Sequence, residues 1–228
     1  MLVRNWMNSD VVTISIEDSM QNAIKLLKEN DVGLLPVMKK RELVGVITDR
    51  DLKEASASDA TTLDIHEMLY LISKIKVKDI MSSNPISVSD ELTIEETAEL
   101  LLNNHISGAP VLDSFGAVVG TITKAELFKV LISLTGIGTN GIQFAFEVED
   151  RAGSIREVAD IIRDHDGRMV SILSTYDHVE KGYRKVYIRM TGIDRGKIDT
   201  LVDKLKNVAK LLYTVDHKHN IRKVYNTD

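Results

Sequence analysis

The chain has 228 residues, no cysteine, 29 basic against 34 acidic side chains and a formal net charge of −5. Without cysteine, disulfide frameworks, thiolate metal sites, cysteine nucleophiles and iron–sulfur clusters are excluded. The acidic balance argues against a nucleic-acid surface, which needs a basic face to displace counterions from phosphate.

Met1–Asp10 contains no secretory apolar region, and no later stretch approaches the ~20 apolar residues of a membrane span. The expectation is a cytoplasmic protein. The first predicted elements are a β-branched strand at 11–14 and a helix opened by Asp18 or Ser19, with apolar spacing at Met20, Ala23, Ile24 and Leu27. Strands at 34–38 and 43–48 follow, then a second helix. A helical connector is predicted over 63–72.

The same order then returns. Met7-Asn8-Ser9-Asp10-Val11-Val12-Thr13-Ile14-Ser15 reappears as Met81-Ser82-Ser83-Asn84-Pro85-Ile86-Ser87-Val88-Ser89, 74 residues on. Leu34-Leu35-Pro36-Val37 matches Gly108-Ala109-Pro110-Val111 at that offset, and Leu43–Thr48 matches Val118–Thr123 at 75, which places one inserted residue in the turn around Ser114-Phe115-Gly116. The second copy is predicted as a strand at 86–88, a helix capped by Asp90 with Ile94, Thr97, Ala98 and Leu101 inward, strands at 109–112 and 118–123, and a helix ending near Leu134. Each β-α-β-β-α unit is about half the usual domain size, so the two are expected to share a core.

The duplicated Leu/Ala-Pro-Val segments and the runs Gly45-Val46-Ile47-Thr48-Asp49-Arg50-Asp51 and Gly120-Thr121-Ile122-Thr123-Lys124-Ala125-Glu126 resemble the cystathionine-β-synthase (CBS) domain pair over roughly residues 1–135. A strand that ends at Thr48 or Thr123 and turns into a helix presents a hydroxyl and free amides suited to a phosphate, with Asp51 or Glu126 one turn in. The resemblance implies that Thr48 with Asp51, and Thr123 with Glu126, hold the ribose and phosphate of an adenosine nucleotide. It further implies that Val12, Thr13, Leu34 and Leu35, and Ile86, Ser87, Gly108 and Ala109, enclose the base. Arg50 and Lys124 are the candidate phosphate cations. The alternatives stay open: Thr-x-x-acid is also a capping-box pattern, and Val12, Leu35, Ile86 and Ala109 also fit plain core positions.

Gly136–Gly141 is a glycine-rich break and is taken as a linker. Beyond it the pattern reads strand 142–148, helix 154–165, strand 169–175, strand 183–190, helix 197–205 and strand 209–215, the βαββαβ ferredoxin-like order. Asp150-Arg151-Ala152-Gly153-Ser154 and Gly167–Ile172 resemble an ACT domain over roughly 142–216, which implies an amino-acid site at Asp150, Arg151, Ala152, Gly153 and Ser154. Ser154 is the expected helix cap. The domain order is similar to that of acetoin-utilisation B-type proteins.

The fold class expected is thus α/β and α+β: CBS units at 1–62 and 77–135 joined by a connector at 63–76, a linker at 136–141, an ACT domain at 142–216 and a polar tail at 217–228. Gly136–Gly141 matches G-x-G-x-x-G, but a helix precedes it and a strand follows, the reverse of the dinucleotide fingerprint. His217 and His219 lack a third ligand in sequence, so no metal is expected. His66, His105, His165 and His178 are scattered, and no hydrolase, metalloprotease or P-loop motif is present. The function expected is a non-enzymatic regulatory sensor that self-associates, with an adenosine nucleotide as regulatory ligand and an amino acid as a possible second one. The competing functions are an enzyme acting on a nucleotide and a scaffold with vestigial pockets.

Overall fold

A computed structural model describes residues 1–58 and 72–225, so the expected connector at 63–72 lies outside the described residues apart from Ile72. The chain forms two compact units, Met1–Lys129 and Val130–Asp228.

In the first unit, one repeat runs β1 (Ile14–Ser15), α1 (Met20–Glu29), β2 (Leu34–Lys39), β3 (Glu42–Thr48) and α2 (Asp49–Ser58). After a short helix, α3 (Val77–Ile80), come β4 (Ser82–Ser83), β5 (Val88–Ser89), α4 (Ile94–Asn103), β6 (Gly108–Leu112), β7 (Val118–Thr123) and α5 (Lys124–Thr135), which crosses the boundary between the units. Amphipathic spacing buries Met20, Ala23 and Leu27 of α1 against Leu35, Val37 and Ile47 of the sheet. Both hairpins carry a register shift at the same place, Val37/Met38 and Val111/Leu112. The residue inserted in the second copy sits in a turn where the Asp113 carboxylate accepts from the amides of Phe115 and Ala117, both at 2.9 Å.

Each repeat completes the other's sheet. The first sheet has the order β1-β2-β3-β4, and β4 belongs in sequence to the second repeat. Conversely, Asn8 bridges Thr121 of β7 through two backbone hydrogen bonds, of 2.9 and 3.0 Å. Met81 and Met7 therefore arrive over Gly45 and Gly120. A Cβ on Gly45 would fall 2.6 Å from Met81 Sδ, and one on Gly120 closer still to Met7 Sδ. Two features that look independent in the sequence, the leading Met and the Gly of Gly-x-Ile-Thr, are halves of one contact. Gly45→Ala and Gly120→Ala are each expected to cost ~1–3 kcal/mol by overpacking. Urea unfolding checks this, and Met81→Ala or Met7→Ala in the same chain should recover part of the loss, whereas additive effects would refute the interlock.

In the first unit, helix starts follow local chemistry with one correction. Ser19 caps α1, accepting from the Asn22 amide at 3.2 Å. Asp90 does not cap α4; Thr93 does, in a reciprocal capping box with Glu96. The reason is that Ser89–Leu92 forms a turn, closed by the Leu92 amide on Ser89 O, so the helix begins four residues after Asp90.

The second unit comprises β8 (Ile142–Glu149), α6 (Ser154–Arg163), β9 (Arg168–Thr175), β10 (Tyr183–Thr191), α7 (Ile198–Lys206), β11 (Lys210–Asp216) and β12 (Ile221–Val224). Its antiparallel sheet has the order β12-β11-β8-β10-β9. Phe144, Phe146, Ile188 and Met190 alternate onto the face covered by α6 and α7, where Val158, Ile162, Leu201 and Leu205 complete the core.

The expected polar tail at 217–228 is corrected, because β12 lies within it and pairs with β11 from Tyr213↔Val224 to Asp216↔Ile221. The outer edge of β11 is occupied by the chain's own strand. Every residue of β12 is exposed, so no alternation betrays it in the sequence. Asp216 organises the turn before it, accepting from Arg195 at 2.8 and 3.1 Å, from the Lys218 amide at 3.0 Å and from His219 Nδ1 at 3.0 Å. No helix among the described residues is long and apolar enough to cross a membrane.

Candidate functional site

The two Thr-x-x-acid runs are built alike. Thr48 ends β3 and donates to Asp51 Oδ2 from both its amide, at 2.7 Å, and its hydroxyl, at 2.6 Å. Thr123 ends β7 and donates to Glu126 Oε2 from its amide at 3.0 Å and from its hydroxyl. Each acid thus closes the first helical turn, and the Thr123 hydroxyl also accepts from the Ala125 amide at 3.2 Å. Each copy forms the acid half of a capping box, the carboxylate accepting from the threonine amide. This does not exhaust the carboxylates, since an ionised carboxylate offers about four acceptor positions.

The acids differ in their second oxygen. Asp51 Oδ1 accepts from Ser82 Oγ at 2.9 Å, a contact supplied by β4 of the other repeat. Among the described residues, Glu126 Oε1 meets only the Lys129 ammonium, at 3.3 Å, on a side chain that is 73% exposed. Ser82 was invisible as a site residue in the sequence because its partner lies 31 positions away across the exchanged strand.

Registry gathers the other predicted residues at the same ends of the two sheets. Leu34 pairs with Thr48, and the parallel pairing Ile14↔Val37 continues back to bring Val12 and Thr13 to that end. In the second copy Gly108 pairs with Thr123, and Val88↔Val111 brings Ile86 and Ser87 alongside. Strand β2 packs next to β6 and β7, so the two sheets meet there.

Not all of these side chains are available. Those of Leu34, Leu35 and Ala109 are buried in the core. Val12 and Ser87 are half-buried, while Thr13 and Ile86 are exposed. Gly108 is required by packing, because a Cβ there would stand 2.8 Å from Ile122 O and from Thr123 Cγ2; the first copy has Leu34 at this place. Arg50 projects to solvent and pairs with Glu54 at 2.8 Å, which raises its pKa and leaves it partly neutralised. Lys124 is exposed, and no ion pair holds it among the described residues. His105, with φ of 55°, occupies the left-handed position after α4.

In the second unit, Asp150–Ser154 forms the turn between β8 and α6, beside a cleft of about 470 Å³ lined by residues that include Glu149, Arg151, Ser154 and Glu157. Gly153, at φ 91°, takes the N-cap position, a left-handed conformation that favours glycine. The expected Ser154 cap is corrected: Ser154 is the first helical residue, and its hydroxyl donates back to Arg151 O at 3.1 Å. Arg151 is committed, with Glu149 at 3.0 Å and a bidentate pair to Glu157 at 2.8 and 2.7 Å. These bonds raise the Arg151 pKa and lower that of Glu157. Asp150 accepts from the Tyr176 hydroxyl at 3.3 Å, and Ala152 is exposed. His219 is taken up by Asp216, and no group of three metal-ligating side chains occurs among the described residues.

The CBS domain family matches residues 3–58 and 77–133, the two copies of the repeat. A CBS domain-containing protein of Dictyostelium discoideum is 33% identical over 134 residues, 58% of this chain and 92% of that protein. The chain belongs to the CBS-domain family. The same CBS segment is 33% identical over 119 residues to an inosine-5′-monophosphate dehydrogenase of Korarchaeum cryptofilum, covering 52% of this chain but 22% of that enzyme. Among solved structures, the CBS domain pair of protein MJ0100, in complex with 5′-methylthioadenosine and S-adenosyl-L-methionine, superposes with a TM-score of 0.50 and 25% identity, covering 57% of this chain and 95% of that one. The exchanged strands and both Thr-x-x-acid turns therefore belong to a tandem CBS pair.

Proposed function

We propose that the CBS pair is a regulatory module that binds an adenosine ligand, of the AMP, ADP, ATP or S-adenosyl type. The carrying observation is that each copy brings a threonine hydroxyl, a helix start and a carboxylate with spare acceptor capacity to the sheet end where the segment before β1 or β5 arrives. The amides of the helix start suit phosphate, and the carboxylate suits the ribose diol. The adenosine ligands of the MJ0100 pair support this choice. The matched part of the Korarchaeum enzyme is a minor fraction of its length, in keeping with a module that regulates rather than catalyses. Calorimetric titration with the adenosine series is the test, and flat titrations against all of them would remove the proposal. A ligand at 100 times its Kd stabilises the folded state by about 2.7 kcal/mol, so a thermal shift should accompany binding.

The second unit is proposed as an ACT-type domain whose turn Asp150–Ser154 takes an amino acid, on the strength of its βαββαβ order and the cleft beside that turn. With Arg151 bound to two glutamates, the ligand contacts assigned to the turn are backbone groups. The protein is further proposed to be a cytoplasmic homodimer or larger assembly. Among the described residues, sheet edges β9 and β12 are unpaired, and unpaired edges are commonly paired or covered. Ligand occupancy then shifts the subunit arrangement by no more than its differential affinity for the two states. Light scattering during size exclusion, with and without nucleotide, should give at least twice the chain mass, and a monomer at all concentrations would exclude signalling by this route.

A further inference from the structure

Arg189 is buried with no carboxylate partner among the described residues. It lies on β10 in the cross-strand row Val215–Gln143–Arg189–Ser171, on the sheet face opposite α6 and α7, and is 3% exposed. Its Nε donates to Thr135 O, the last residue of α5, at 2.5 Å, and one terminal nitrogen reaches Gln143 Oε1 at 3.4 Å. The other terminal nitrogen, NH1, is buried with no partner among the described residues. Arg151 and Arg195 each hold a carboxylate, whereas no ion pair involves Arg189 among the described residues.

A second unpartnered polar atom lies on the same face. Tyr213, Val215 and His217 alternate onto it from β11 and the residue that follows, and His217 Nε2 is also buried without a partner. Burial lowers the pKa of both groups, and the Arg189 charge lowers that of His217 further, so the imidazole is held neutral beside a cation. Capping α5 explains the Nε of Arg189, since a cation suits a helix C-terminus. It leaves NH1 and the imidazole unexplained, and buried polar groups are normally satisfied.

We propose that Arg189 and His217 bind the carboxylate of a small organic acid on the face of the C-terminal sheet opposite α6 and α7. A guanidinium presents parallel N–H groups matched to a planar carboxylate, and a buried cation gains most from such a partner. The adjoining row, Tyr187–Ala145–Tyr213, with tyrosine rings 6.5 Å apart, supplies an apolar wall for the carbon end of the acid. Gly136 lies against Val170 and the Arg189 stem, so entry takes a local lifting of Thr135 and Gly136. This site is distinct from the turn at Asp150–Ser154 and does not depend on the nucleotide proposal.

The test uses the full chain and ligand-observed NMR with acetate at constant ionic strength. Saturation transfer to acetate is expected in the wild type. It should be lost in Arg189→Met and weakened at least ~10-fold in Arg189→Lys, which keeps the charge but not the fork. His217→Phe should weaken it as well. Methanesulfonate, of equal charge but without a planar carboxylate, should bind more weakly. Absence of acetate binding in the wild type, or equal binding in Arg189→Lys and His217→Phe, would overturn the proposal even if Arg189→Met failed to fold. Adenosine titrations of the same variants should be unchanged, which separates failure here from failure of the nucleotide proposal.

Discussion

Asp51→Ala is expected to weaken adenosine-ligand binding by roughly 10- to 100-fold, the effect of losing a charge-assisted hydrogen bond of ~1.5–3 kcal/mol. Asp51 is held by three donors, two from Thr48 and one from Ser82, so its carboxylate is fixed before any ligand arrives. Glu126 has one more methylene, and an exposed lysine braces its second oxygen, a contact whose contribution is small. Glu126→Ala is accordingly expected to cost less. Both substitutions also remove the bond that closes a helical turn, worth ~0.5–2 kcal/mol of stability, so calorimetry should be paired with thermal unfolding. Asp51→Asn, which keeps the shape and loses the charge, isolates the ligand term. If Glu126→Ala weakened binding more than Asp51→Ala, the ranking of the two sites would be reversed.

Asp216→Ala is expected to destabilise the second unit by about 3 kcal/mol, the low end for breaking a buried ion pair. The low end applies because Arg195 is 30% exposed, although the Asp216 side chain is 10% exposed. Arg195, then His219 and the Lys218 amide, hold the Asp216 carboxyl well below its ordinary value of 3.8. A depressed folded pKa means that the stabilisation is fully present above the unfolded pKa and is lost as pH falls through the folded one. Denaturant unfolding of the wild type and Asp216→Ala should therefore differ most at neutral pH and converge only in strong acid. A gap that closed already near pH 5 would show that the pair is not the source of the stability. The same variant should free β12, which hydrogen exchange at 221–224 would report.

Much of the architecture is legible because it is periodic or duplicated. The β-α-β-β-α order of both copies, the βαββαβ order behind them and the Thr-x-x-acid turns all follow from spacing within a few residues of each position. Local chemistry misleads where two candidates stand close together. Asp90 and Thr93 both suit a cap, and what selects Thr93 is the Ser89–Leu92 turn together with the Ile94 amide donating to Met1 O, a contact across the whole repeat. Ser154 suits a cap by type, but the left-handed Gly153 before it already holds that position.

What the sequence alone determined is each repeat's internal order and the chemistry at its strand-to-helix turns, because neighbours in the chain set them. Tertiary structure decided the partners: Met7 over Gly120, Met81 over Gly45, Ser82 on Asp51, β12 on β11, and Arg189 on the end of α5. Each joins residues brought together by the fold, and pairing between distant segments leaves no mark on the residues flanking either partner. An exposed edge strand such as β12 has no buried face to impose alternation. A buried arginine is likewise spelled like an exposed one until the fold removes its water.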